Sequence, residues 1–358
     1  MFYREAGQFK TTYQADQAVF PILQDRVGLA VILFGAFVLI PLAGSDFFLS
    51  VVMIPLLILS LAAIGLNILT GYTGLLSLGT GGFMGVGAFA CYKLTSIYPD
   101  VNIVVWIFVS GLFSTAVGIL FGLPSLRIKG FYLTVATLAA QFFLDWLFIR
   151  VQWLTNYNTS GSIEVPTRTI FSWPVTGPNA TPQFRYLVIL AIVTVLTWFA
   201  SNLVHGRIGR MWMAVRDMDL AAELIGIPLY RTKLLAFAVS SYYCGVAGAL
   251  MVFLWYGSAE PGVFNIDQSF TILFMVIIGG LGSLTGSFLG AALIYGFPIV
   301  LRGVLQGLGW NILPATIEHL TFMSVGALII LFLIIEPLGL ARLWQITKQK
   351  LRVWPFPY

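Results

Sequence analysis

Apolar residues recur along this chain in long, nearly unbroken runs rather than on the narrow stripe of a helix bathed in water. Ten runs can be marked, at about 27–43, 49–69, 75–94, 101–123, 131–149, 186–204, 234–256, 269–281, 284–301 and 320–340. A helix that crosses a bilayer needs about 20 such residues. The run 269–281 is too short to cross alone as an ordinary helix, so it reads as half of a broken helix or as a re-entrant segment. The pattern predicts an all-α, polytopic helical bundle with eight to ten spans.

Composition agrees. The 358 residues are 59% hydrophobic and 9% charged, and the mean hydropathy is +0.92. A soluble domain carries roughly 25% charged residues, so this chain has too few charges to coat a water-exposed surface. The polar N-terminus, with acids among its bases, has the form of neither a cleavable signal nor a transit peptide. The run after Arg26 therefore reads as a retained span.

Charge sets the expected orientation. If ten crossings begin with the N-terminus inside, only Lys93, Arg150, Arg168, Arg185 and Arg302 of the 19 Lys and Arg residues fall outside. Basic residues are retained on the cytoplasmic side, so both termini are expected there. The chain divides into a cytoplasmic N-terminal segment (1–26), a membrane domain (27–340) and a basic cytoplasmic tail (341–358). Two connections are long: an outer loop, 150–185, and an inner loop, 205–233. The high pI of about 9.2 reports this orientation rather than nucleic-acid binding. The sequons at Asn158 and Asn179 read as chance matches. Cys91 and Cys244 lie in apolar runs and read as small buried hydrophobes.

The stretch GYTGLLSLGTGGFMGVGAFACYKL (71–94) is apolar yet crowded with glycine. Ser77, Gly81 and Gly85 are spaced by four, as are Gly282, Gly286 and Gly290, which suggests two small-residue stripes on helices. Lipid tails do not drive apolar helices together, so close backbone approach has to supply the packing. Packing is one reading. The other adds an unwound or broken helix beside a path, because exposed backbone at membrane depth is tolerated only where it is buried or lines a cavity. Thr70, Tyr72, Ser77, Gly79, Thr80, Gly81, Gly282 and Ser283 are the candidates for that path, and Gly85, Gly286 and Gly290 for packing. Paired glycine-interrupted segments in two halves point to a transport site. The fragment Gly85–Ala90 fits GxGxx(G/A) but lacks the strand and βαβ context of a nucleotide fingerprint. There is no P-loop, so any ATP and Mg would be bound by partner subunits. No relay of Asp, Glu or His is visible in the spans, which argues against proton coupling, catalysis or a metal site.

The inner loop reads GRIGRMWMAVRDMDLAAELIGIPLYRTK. Met211, Val215, Met218, Ala222 and Ile225 recur at helical spacing, and Gly226 and Pro228 stop the helix. A helix lying on the membrane surface is one reading, but such helices are rich in Lys and Arg on the polar face, and this one carries Asp217, Asp219 and Glu223. Docking into the groove of a partner fits better, with Ala221 and Ala222 at the closest approach.

Four motifs then carry a resemblance: LNILTGYTGLLSLGTGGFMGVGAFA (66–90), LPSLRIKGFYLTVATLA (123–139), GRMWMAVRDMDLAAELIGIPLYRTKLLAF (209–237) and MVIIGGLGSLTGSFLGA (275–291). In this order they resemble the permease subunits of branched-chain amino acid ABC transporters over most of 49–340. The resemblance implies an ATP-driven importer in a bacterial inner membrane, built from this chain, a second homologous permease, two ATP-binding subunits and a periplasmic substrate-binding protein. It places the ATPase-coupling helix at Met211, Val215, Asp217, Asp219, Ala221, Ala222, Glu223 and Gly226, with Leu220 where the family has Glu. Thr159–Ser162 stands at the family's glycine-rich outer turn. Branched-chain or other hydrophobic amino acids are the expected cargo; aromatic or other small carboxylates, amides, and an ion-coupled secondary transporter are the alternatives.

Overall fold

The computed structural model describes residues 11–12, 23–126, 132–158, 162–170, 173–177, 179–307, 314–335 and 339–353. The helices are α1 (Arg26–Ala43), α2 (Phe48–Tyr72), α3 (Thr80–Ile97), α4 (Ile103–Ser125), α5 (Tyr132–Arg150), α6 (Pro182–His205), α7 (Arg207–Asp217) and α8 (Asp219–Leu224). They continue as α9 (Leu229–Tyr256), α10 (Ile266–Gly279), α11 (Leu284–Gly307), α12 (Pro314–Ile335) and α13 (Leu340–Val353). Among the described residues, eight helical spans are long and apolar enough to cross a membrane. The only strands described are two pairs of two-residue strands, so the fold is an all-α membrane bundle.

Prolines shape the first two spans. Wide π-helical turns at Gly35–Leu39 and Phe48–Met53 end just before Ile40-Pro41 and Ile54-Pro55. Proline has no N–H, and its ring presses on the carbonyl of the preceding turn; a widened turn accommodates both defects without ending the helix. A third wide turn, Ile68–Tyr72, closes α2. A fourth, Met251–Tyr256, closes α9, where Gly257 takes φ +73°.

The glycine-rich α3 sits at the centre, against α4, α5 and α9. It is almost wholly buried, so protein rather than lipid is its solvent. Its closest approaches are backbone to backbone. A Cβ on Gly87 would fall 2.0 Å from the Gly245 carbonyl oxygen, and one on Gly248 1.9 Å from the Met84 carbonyl oxygen. Gly245 in turn faces Ser114 and Gly111 of α4, and the Ser114 hydroxyl donates to the Phe83 carbonyl at 2.9 Å. Three helices thus meet at distances that admit only hydrogen at these positions.

The two proposed stripes change in detail. Ser77 lies three residues before α3 begins, and Gly282 lies in the turn before α11, so neither belongs to a helical stripe. Gly85 meets the Phe148 ring rather than a backbone. On α11, Gly286 packs against the Gly279 carbonyl and Gly290 against that of Met275. The tight crossing of α3 and α9 runs instead through Gly87 and Gly248, because a helix face is defined by rotation, and the stripe at steps of four from Gly81 points to α5 and the Pro261–Phe264 turn.

Gly248→Ala is expected to destabilise the protein by about 1–3 kcal/mol, because the obstructing atoms are a carbonyl that cannot rotate away. Gly28→Ala should be neutral or slightly stabilising: among the described residues nothing lies within 4 Å of a Cβ there, and alanine is the better helix former. Thermal unfolding of the two purified variants separates the cases.

Several boundaries shift from the sequence reading. The short run predicted at 269–281 begins earlier: α10 starts at Ile266, its N-terminus capped by Asn265, whose side chain accepts from the Gln268 N–H at 3.2 Å, and a turn at Pro261–Phe264 extends the span. The last apolar run, expected at 320–340, is helical over Pro314–Ile335. Gly339, at φ +78°, then precedes a separate helix, α13, where a plain basic tail was expected. The outer loop is tied down. Ile163–Glu164 pairs with Ser258–Ala259, and the Arg168 guanidinium donates to the Thr95 and Pro99 carbonyls at 2.8 and 2.5 Å. Residues 159–161 of the expected glycine-rich turn, and most of 1–26, lie outside the described residues.

Candidate functional site

The interruption between α2 and α3 is real: residues 74–79 are not helical. They run inward from an exposed Gly74 to a buried Gly79, and neighbouring side chains satisfy part of their backbone. The Leu78 N–H donates to Thr137 Oγ1 at 3.0 Å, and Thr134 Oγ1 donates to the Leu76 carbonyl at 3.2 Å. The first N–H groups of α3 have no partner within the helix. That of Gly81 donates to Ser269 Oγ at 2.8 Å, and that of Gly82 to Gln141 Oε1 at 2.6 Å. Gln141 is fully buried. It also accepts from the Ser269 hydroxyl and donates to the Phe264 carbonyl and to Asp145. One carboxamide of α5 therefore joins α3, α10 and the turn before α10. Irregular backbone at this depth persists because protein groups replace the missing ladder.

A second cluster forms where α2 meets the turn between α10 and α11. Asn67, fully buried, donates to the Ser283 carbonyl at 2.8 Å and to Ser287 Oγ at 2.9 Å. Its Oδ1 accepts from the Gly282 N–H at 2.9 Å. Gly282 takes φ +77°, a conformation that suits glycine. Gly71 lies so close that a Cβ there would fall 2.0 Å from Asn67 Oδ1 and 2.2 Å from the Gly282 nitrogen. The two glycine-rich interruptions, distant in sequence, thus cross each other and are pinned by one side chain.

The inner loop reaches this crossing. Arg216, near the end of α7, donates from Nη1 to the Gly71 carbonyl at 3.0 Å. Its Nε and Nη2 donate to Asp217 Oδ1 at 3.0 and 2.9 Å, so the neighbouring acid holds the guanidinium. Its side chain lies beside Gly74, which takes φ +75°, and beside Gly282; a Cβ at either would come within 3.1–3.2 Å of it. Lys233 and Asp219 form an ion pair at 2.5 Å. Together with Thr73, Gly74, Thr134 and Val215 these residues line a cleft of about 430 Å³.

The inner helix itself differs from the single helix expected over 211–225. Met218 is extended, at φ −162° and ψ 102°, and splits it into α7 and α8. The break re-aims the predicted stripe. Trp212, Val215 and Ala222 turn inward and are buried, Met211 is half-buried, and Ala221 and Glu223 face outward. Ala222 therefore cannot be the point of closest approach for a partner. Gly226, at φ +88°, ends α8 as expected, with its N–H on the Glu223 carbonyl and that of Ile227 on the Ala222 carbonyl, both at 3.0 Å. This is the double-bonded glycine cap that closes many helices. The outward face of the pair is apolar: Met218, Leu220, Leu224 and Ile225 are 62%, 61%, 89% and 74% exposed.

The path candidates fall into two groups rather than one site. Gly282 and Ser283 bond to Asn67, with Thr70 and Tyr72 in the wide turn that closes α2, and Gly81 bonds to Ser269, with Ser77, Gly79 and Thr80 in the chain just before it. Thr70 Oγ1 is buried without a protein partner. Sequence reading did not single out Asn67, Gln141, Arg216, Ser269 and Ser287, whose side chains make these bonds. A signal existed for the two carboxamides, since amides in otherwise apolar spans act as interhelical glue. None existed for Arg216, one of several bases in its loop.

The sequence is similar to those of known proteins. Residues 47–335 match the profile of the branched-chain amino acid transport system permease component. Among curated relatives, the chain is 29% identical to the high-affinity branched-chain amino acid transport system permease protein LivM of Salmonella typhimurium and 28% identical to that of Escherichia coli. Each match covers 77% of this chain and 66% of the relative. It is 25% identical to a probable branched-chain amino acid transport permease protein LivM of Methanocaldococcus jannaschii, over 65% of this chain and 66% of that one. The chain thus spans slightly less than two thirds of the length of these relatives, and no solved structure matches it significantly. With the profile covering most of the chain, including both glycine-rich crossings and the inner helix pair, the protein belongs to the family of branched-chain amino acid transport system permease components.

Proposed function

We propose that this chain is the membrane-spanning subunit of an ATP-driven importer for branched-chain or other hydrophobic amino acids in a bacterial inner membrane. It forms half of the translocation path with a second, homologous permease. Two ATP-binding subunits bind ATP and Mg on the cytoplasmic side, and a periplasmic protein delivers the cargo. Both termini are cytoplasmic in this reading, and the chain itself carries out no catalysis. One observation carries the mechanism: Arg216 joins the exposed α7–α8 pair to both glycine-rich interruptions. A push on α8 by an ATPase is transmitted through Asp217–Arg216 to Gly71, in the wide turn that closes α2, and to Gly282, in the non-helical turn before α11. Rigid-body rearrangement of the two permeases then exposes the path to alternate sides.

The docking face follows from burial. Leu220, Leu224 and Ile225 of α8 and its cap form an apolar patch with Asp217 and Glu223 at the rim. Such a patch fits a groove on a partner better than water. The double variant Leu220→Asp/Leu224→Asp is expected to insert normally but to lose at least tenfold in the amount of ATPase that co-purifies. Truncating well-packed interface residues removes about 2 kcal/mol or more, and a buried carboxylate adds to that. Undiminished recovery of the ATPase would return α8 to a membrane-surface role.

A further inference from the structure

We infer that α13 lies in the membrane–water interface on the face that carries α7 and α8, and that it binds the anionic phospholipid headgroups of that leaflet. Three independent observations lead there. The first is tether length. The helix α12, apolar over His319–Ile334, ends at Ile335 and α13 starts at Leu340. The five residue steps between them can bridge at most about 18 Å, which keeps the start of α13 near the end of α12.

The second is placement. Gly339 meets the α10–α11 turn directly: a Cβ on it would fall 2.6 Å from the Gly280 Cα. Gly280 leads into Gly282, which touches Arg216 of α7. The start of α13 is therefore fixed at the end of the bundle from which the inner helix pair projects. The third is chemistry. The helix LARLWQITKQKLRV holds Arg342, Lys348, Lys350 and Arg352 and no acid. Leu343 and Trp344 are 39% and 58% exposed, whereas Ala341, next to the glycine contact, is buried. Leu343 and Thr347 share a face, since the Thr347 hydroxyl donates to the Leu343 carbonyl one turn back. Gln345 lies on the opposite side.

A short helix with Leu343 and Trp344 on one side and Lys348 and Lys350 at its flanks suits the interface. Tryptophan settles at headgroup depth, basic side chains reach from an apolar stem to phosphate, and unbroken positive charge matches an anionic leaflet. A protein groove would need acidic complements to the same charge; a bilayer rich in phosphatidylglycerol supplies them on every side. Because α13 is pinned to Gly280, its seating is positioned to steady the turn that Asn67 and Arg216 hold.

The test uses the full-length protein, with the subunits that co-purify with it, in vesicles of phosphatidylcholine alone or of phosphatidylcholine with phosphatidylglycerol. Cys91 and Cys244 are buried, so a spin label can be directed to Leu343→Cys, Trp344→Cys or Gln345→Cys; Thr347→Cys replaces either of the first two if it fails to purify. In anionic vesicles the labels at 343 and 344 should be relaxed severalfold more by oxygen than by a water-soluble nickel chelate, and the label at 345 the reverse. Adding Lys348→Gln and Lys350→Gln should abolish the preference. Water exposure of all labels overturns the inference, as does shielding from both reagents, which would mean that a protein covers the face. Equal depth in neutral and anionic vesicles also overturns it, because the headgroup charge would then play no part.

Discussion

Asn67→Leu is expected to reduce uptake of labelled leucine to background while leaving membrane insertion intact. The two side chains are close in size, so packing around α2 changes little. What is lost is the set of bonds across the crossing: the Gly282 N–H loses its acceptor, and the Ser283 carbonyl and Ser287 hydroxyl lose a donor. A buried donor left unpaired costs about 1–3 kcal/mol, and Asn67 Oδ1 is the acceptor that fixes the Gly282 N–H of the turn at φ +77°. The purified protein should therefore unfold at a lower temperature, and the crossing should no longer move as one unit. Gly71→Ala attacks the same contact from the other side, since its Cβ would collide with Asn67 Oδ1 and the Gly282 nitrogen, and should produce the same phenotype. Wild-type uptake by Asn67→Leu would show that the crossing is not part of the moving machinery.

The second large effect concerns Arg216. Arg216→Gln should leave the ATPase subunits bound, because the exposed patch on α8 is untouched, yet it should cut substrate-stimulated ATP hydrolysis and uptake roughly tenfold to a hundredfold. The lost bond to the Gly71 carbonyl is charge-assisted, and such bonds contribute about 1.5–3 kcal/mol, which corresponds to one to two powers of ten. Arg216→Lys should recover only part of the activity. An ammonium can reach the carbonyl or Asp217, but it lacks the fork that serves both at once. Co-purification and hydrolysis measured on the same preparations distinguish uncoupling from failure to assemble. Full stimulated turnover in Arg216→Gln would exclude this side chain as the link.

The two predictions differ from what glycine spacing alone suggests. Spacing drew attention to Gly81, Gly85 and Gly286: Gly81 meets the Asn265 and Phe264 carbonyls and Gly286 that of Gly279, whereas Gly85 meets the Phe148 ring. The tightest contacts of α3 lie at Gly87 and at Gly248 of its partner. Sequence periodicity gives the faces of a helix but not which face a neighbour takes.

What the sequence determined by itself was whatever depends on local composition. Scarce charge and long apolar runs require a membrane bundle. Glycine-crowded stretches at 71–87 and 279–290 require tight or broken backbone, and the acid-bearing inner loop with Gly226 and Pro228 requires a short helix that stops there. The motifs at 66–90, 123–139, 209–237 and 275–291 carried the resemblance to the family. Only the tertiary structure decided how these pieces meet. Met218 splits the inner helix and turns Ala222 inward, because Val215 and Trp212 find burial against the bundle while Leu220 and Leu224 do not. Asn67 matters through partners more than two hundred residues away, and Gln141 through an α3 N-terminus that exists only because residues 74–79 unwind beside Thr134 and Thr137. Arg216 looks like any other base of its loop until the fold sets it against Gly71. Hydrophobic pattern is a one-dimensional record of where a segment lies relative to lipid. Hydrogen bonds between distant segments leave no periodicity, so the residues that make them became visible only when the chain was folded.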